Sequence, residues 1–132
     1  MRLAAIALVT TLALATPAFA DAASDLAAAK ATIAAAKLST ESDLDMWCGA
    51  AFTLAAAHFT SGGNTADADA STKSASVMFG KAAPLLTADG VADADLGNIS
   101  TQYMVVVDAQ LNAQSEPAEH TKDECAAAAA AE

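Results

Sequence analysis

The sequence predicts an all-α fold: a small four-helix up-down bundle with a short C-terminal helix, stapled by one disulfide. Apolar residues recur at three- and four-residue steps through four stretches, the period of a helix with one buried face. Short polar links bearing glycine or proline separate the stretches, and such links make consecutive helices antiparallel neighbours. The two cysteines, Cys48 and Cys125, fall in the second stretch and in a final alanine-rich one. One bridge between them would tie the end of the chain to its middle.

Residues 1–20 read as an address rather than as part of the fold. Arg2 supplies a positive start, and Leu3 to Ala15 is a largely apolar run. Pro17 then precedes Ala18-Phe19-Ala20, an A-x-A cleavage signature. The run of 13 residues is too short for a bilayer span, which takes about 20. The expectation is a bacterial-type Sec signal peptide over 1–20, cleaved after Ala20, and a single helical domain over 21–132. Such a product is exported to the periplasm or the extracellular space, where disulfides persist.

Cleavage after Ala20 of the 132-residue chain leaves 112 residues, a suitable length for one domain. It also removes Arg2, so five lysines face sixteen carboxylates and the formal net charge moves from −10 to −11. That acidity repels nucleic acid and anionic membrane faces, and neither is expected as a partner. Hydrophobic residues make up 55% of the chain, yet beyond Ala20 there are 32 alanines and only 23 Leu, Ile, Val, Met, Phe, Trp or Tyr. Alanine favours helix and buries little area. The expected core is therefore thin, and a thin core in a small domain calls for a staple. A Cys48–Cys125 bridge, with a sequence separation of 77, is worth about 4.5 kcal/mol in the chain-entropy treatment.

The first helix is expected from about Ser24 to Leu38. Ser24 serves as N-cap, and Asp25 suits the positive end of the dipole. Leu26, Ala29, Ile33 and Ala36 form a narrow apolar face. The second is expected from about Asp43 to Thr60, capped by Ser42 with Asp45 three residues on. Its stripe of Leu44, Trp47, Cys48, Ala51, Leu54, Ala55 and His58 is widened by Phe52 and Phe59. This is the most strongly patterned segment and marks the central core helix. Gly62-Gly63 supplies a left-handed stop.

The third helix is expected from about Asp67 to Thr87, with Ala70, Ser74, Val77, Met78, Ala82, Leu85 and Leu86 facing the core. Pro84 would clash with the carbonyl of Gly80, so a kink near Gly80 or a break with a restart at Pro84 is expected. The fourth is expected from about Asp93 to Gln114, with Leu96, Ile99, Tyr103, Val106, Val107, Gln110 and Leu111 on one face. Met104-Val105-Val106-Val107 has strand character, but the pattern on both sides is helical and no second strand exists to pair with it. Thr121-Lys122-Asp123-Glu124 is a T-x-x-E capping box, which starts a short helix near Lys122 that carries Cys125.

Few residues carry chemistry. Asp43/Asp45, Asp67/Asp69 and Asp93/Asp95 have a spacing that can serve a divalent cation, but the glycine and glutamate of an EF-hand loop are missing. Each pair opens a helix, where a carboxylate favours the dipole. His58 is read as an interior, hydrogen-bonded histidine, and His120 as a residue the disulfide brings near the middle of the second helix. There is no C-x-x-C, C-x-x-C-H, G-x-S-x-G or phosphate loop. No cofactor and no metal are expected, and the chain is read as a non-enzyme for want of a nucleophile–base–orienter set. Trp47, Phe52, Phe59, Phe79 and Tyr103 either fill the alanine-rich core or line a small apolar pocket between helices.

The Trp47-Cys48 pair on an early helix, with a late cysteine to bridge to, resembles in outline the periplasmic acid-stress chaperones. Those are small helical proteins with one disulfide and a Trp-x-Cys near the start of the fold. Here the Trp and Cys are adjacent and the second Cys lies much farther on, so no functional residue is carried over. At pH 2 to 3 the carboxylates would be neutral and the net charge would swing to roughly +8, enough to loosen a thin core.

The expected function is that of an exported, non-enzymatic helical protein with an envelope or stress accessory role, acting on an unknown protein partner. The alternatives are an acid-responsive holdase chaperone and a carrier of a small apolar ligand in an interhelical pocket. An Ala, Met and Phe face on the third helix would serve a homodimer.

Overall fold

Side-chain caps and left-handed residues set most of the helix boundaries. The computed structural model describes residues 18–131, and among them are five α-helices and no strand. They are α1 (Ala18–Ala36), α2 (Thr40–Ser61), α3 (Thr65–Ala88), α4 (Leu96–Leu111) and α5 (Lys122–Ala130). A 3-10 turn, Asp93–Asp95, leads into α4. The signal-peptide expectation falls on residues 1–20, of which 1–17 lie outside the described residues.

α1 is already helical at Ala18, so Ser24 lies inside it and does not cap it. The reason is local: Ala18 to Ala23 is alanine-rich and contains no breaker. α1 ends where Lys37 turns left-handed at φ 52°. The N-cap of α2 is Ser39, not Ser42, and its hydroxyl accepts from the Ser42 N–H at 3.3 Å. At the far end Gly63 takes φ 75° and the Asn64 N–H returns to the Phe59 carbonyl at 2.9 Å. Glycine suits that left-handed conformation, which side-chain-bearing residues adopt only with strain.

α3 runs unbroken through Pro84, so the restart expected there does not occur. One backbone hydrogen bond is lost, but Met78, Ala82 and Leu86 are buried on either side and hold the helix in register. α4 stops at Leu111, short of Gln114, which is left-handed at φ 50°. Thr121 and Glu124 close the capping box of α5 as the sequence predicts.

α2 and α3 form the principal hairpin, α4 packs on α2 and on α1, and α5 lies against α2 and α3. The hairpin closes at its open end through Asp89, the C-cap of α3. Its Oδ2 accepts from the Ser39 N–H at 2.9 Å, the Ser39 hydroxyl at 3.0 Å and the Ser42 hydroxyl at 2.5 Å. A carboxylate thus sits at the positive end of the α2 dipole. Between the helices the Phe79 ring lies on Gly49, where an added Cβ would meet it at 2.7 Å. Gly49 therefore lets α2 and α3 approach.

The core gathers Met46, Trp47, Cys48 and Ala50 of α2, Met78, Ala82 and Leu86 of α3, Ile99, Tyr103 and Val107 of α4, and Cys125 of α5. The Cys48–Cys125 disulfide is formed, with a Cα–Cα distance of 5.3 Å. On the α3 face, Met78 is fully buried and Phe79 packs on Gly49. His58 is exposed rather than interior, with its ring against Phe59. It lies in the last turn of α2, where only Leu111 and Asn112 at the end of α4 come near it, and they leave it open to solvent.

Candidate functional site

Two grooves combine apolar walls with charged groups: one of about 550 Å³ sets Leu44, Pro84 and Leu85 beside Glu41, Asp45 and Lys81, and a second, along α2, is walled by aromatic rings. About 570 Å³ in volume, this second groove is floored by Trp47, Ala51, Phe52, Ala55 and Phe59 of α2. Asp67, Ala70 and Ser71 of α3 form one wall, and Leu111 ends α4 beside it. His120, Lys122 and Cys125 complete the lining. The volume falls in the range of small-molecule sites. The helical spacing of 47, 51, 55 and 59 makes this floor, since residues four apart stack on one face. Alanine at two of those four positions leaves the space open.

Trp47, Phe52 and Phe59 therefore share one groove. Phe79 and Tyr103 lie elsewhere: Phe79 sits against Gly49, and Tyr103 is buried in the core.

A polar network holds the groove's Trp47 end. The buried indole N–H of Trp47 donates to Gln110 Oε1 at 2.7 Å. The same oxygen accepts from the Glu119 N–H at 3.3 Å, which draws the α4–α5 link inward. His120 then packs edge-on against Trp47, with ring centroids 5.5 Å apart, and its Nε2 lies 3.2 Å from Asp43 Oδ2. The other Asp43 oxygen accepts from the Tyr103 hydroxyl. Burial and the Asp43 carboxylate together push the Tyr103 phenol well above the ordinary tyrosine range.

The sequence pattern marks Asp43 as a dipole partner and Gln110 as one more position on a helix face. Asp43 does lie in the first turn of α2, but it also joins α2 to α4 and to the α4–α5 link. A glutamine at a core-facing helix position opposite a lone tryptophan was the available signal, because a buried indole N–H needs an acceptor.

Asp45 is buried, which pushes its carboxyl above the ordinary range against the attraction of Lys81. Lys81 itself donates to the carbonyls of Ala128 (2.7 Å) and Ala131, closing the C-terminal end of α5. No group of three His, Cys, Asp or Glu among the described residues is arranged to hold a metal ion. No helix among them is long and apolar enough to cross a membrane. No family model matches the chain, and no curated protein or solved structure gave a match.

Proposed function

We propose that this protein is an exported, non-enzymatic binding protein, and that the Trp47 groove takes a small apolar ligand. The single observation that carries the reading is that groove of about 570 Å³, with three aromatic rings and two alanines along its α2 floor. The disulfide supports it from the side. Cys125 is itself a wall residue, so the bridge fixes the position of α5 over the floor. The A-x-A leader and the disulfide are the grounds for placing it in the periplasm or outside the cell.

Trp47 is the chain's one tryptophan and lines the groove, so its emission reports on occupancy. Titration with dodecanol is expected to give a saturable change that Ala55→Phe abolishes by filling the floor. No saturable change in the wild type would rule the reading out.

A second reading, an acid-responsive holdase, is favoured by the way carboxylates clamp the fold. Asp43 holds Tyr103 and His120, and Asp89 holds Ser39 and Ser42. Protonation of Asp89, which its serine donors hold below the ordinary carboxylate range, weakens the second of these clamps. Suppression of client aggregation at pH 3 but not at pH 7 is the expected result, and no suppression at either pH ends this reading.

A further inference from the structure

We propose that the ligand is a single-chain amphiphile with a carboxylate head, and that Lys122 selects that head. The proposal rests on the groove reading above and adds the polarity of the occupant. The groove has two unlike ends. Cys125 is bonded to Cys48 and His120 packs on Trp47, so these two groups and Lys122 gather at the Trp47 end. Asp67 belongs to the first turn of α3, which follows directly on the end of α2 and so lies at the Phe59 end. From Trp47 to Phe59 the floor runs about 18 Å at helical rise, the length of an extended acyl chain rather than of a compact ring.

Lys122 is the uncommitted cation of this region. Lys30 pairs with Glu116 at 2.7 Å, and Lys81 donates to the carbonyls of α5. Lys122 makes no ion pair among the described residues. It also occupies the first position of α5, where a cation opposes the helix dipole. A residue that breaks a local rule while standing at the mouth of an apolar groove is the kind expected at a binding site. The other charged wall residue, Asp67, accepts from the Asn64 amide at 2.5 Å and serves the start of α3. The acidity of the rest of the chain is screened beyond about 8 Å at physiological salt, while Asp123 and Glu124, next to Lys122 in the first turn of α5, offset part of its attraction and hold the expected preference to the scale of one exposed pair. The head then lies at Lys122 and the chain runs over Ala51 and Ala55 toward Phe59.

The test compares three probes of one chain length by Trp47 fluorescence at pH 7.5, below their micelle concentrations: dodecanoate, dodecanol and dodecyltrimethylammonium. Dodecanoate is expected to bind about five-fold tighter than dodecanol, the scale of one partly exposed ion pair, and the ammonium weakest. Lys122→Gln, an exposed change at a helix start, is expected to erase that preference, so that dodecanoate and dodecanol bind the variant equally. Equal binding of dodecanoate and dodecanol by the wild type, or a preference for the ammonium, overturns the head-group proposal while the groove reading stands. A preference for dodecanoate that survives Lys122→Gln overturns the role of Lys122. Failure of all three probes overturns the groove reading and this proposal together.

Discussion

The buried indole N–H of Trp47 donates to the buried side-chain oxygen of Gln110 at 2.7 Å, across 63 residues of sequence. This bond joins α2 to α4, and through the Glu119 N–H on the same oxygen it also sets the path of the link to α5. The link in turn delivers His120 and Lys122 to the groove. A glutamine in the core thus shapes a surface.

Gln110→Ala removes the acceptor and leaves a buried donor unpaired. The expected loss is about 1–3 kcal/mol of unfolding free energy in urea. Trp47 emission is expected to change in the native state as the α4–α5 link loosens. Gln110→Glu keeps an acceptor oxygen, and the emission change is expected to be smaller than in the alanine variant.

Reduction of Cys48–Cys125, or its replacement by alanines, releases α5. Its alanine run buries little surface and cannot hold the helix in place alone. The expected destabilisation is about 2–5 kcal/mol, measured by denaturant unfolding with and without reductant. Amide exchange is expected to quicken first in Lys122–Ala130 and in the Asn112–Thr121 link.

Hydrogen bonds from the Ser42 hydroxyl and from Ser39 hold the Asp89 carboxyl below the ordinary carboxylate range. A lowered folded-state pKa adds stability above the unfolded-state pKa, and that stability is lost as pH falls through the folded value. Asp89→Asn is therefore expected to flatten the acid side of the stability profile and to lower stability at neutral pH. Asp45 works in the opposite sense. Burial raises its pKa, so Asp45→Asn is expected to raise stability at neutral pH relative to wild type. Thermal melts between pH 2 and 8 separate the two.

The chain has one tyrosine, so an absorbance titration reads Tyr103 alone. Burial and Asp43 raise its pKa, so the folded protein is expected to show no phenolate as pH passes through the ordinary tyrosine range. Stability present below the unfolded-state pKa is lost as pH climbs above it, and phenolate is expected to appear together with unfolding. Tyr103→Phe is expected to remove that alkaline transition.

Much of the fold is legible because it is written in local signals. Helical steps through Trp47, Cys48 and Ala51, the Gly63 stop and the Thr121–Glu124 capping box all act within a few residues of themselves. The pairing of the two cysteines followed from there being only two. What escaped depends on which elements meet. Ser42 looked like a cap until Asp89 of α3 claimed it, and His58 looked interior because its spacing fits a stripe that runs past the end of the packed region. Trp47, Phe52 and Phe59 share a groove while Phe79 and Tyr103 do not, since helical phase says which side of its own helix a ring occupies and not what lies opposite.

The most direct test is native mass spectrometry of the protein exported to the periplasm and purified without reductant. The account predicts a 112-residue chain beginning at Asp21, lighter by the two hydrogens of the Cys48–Cys125 bond. It predicts that this chain carries one small amphiphile, or takes up one dodecanoate on incubation, and that Ala55→Phe does neither. A wild-type chain that stays empty under both conditions contradicts the account.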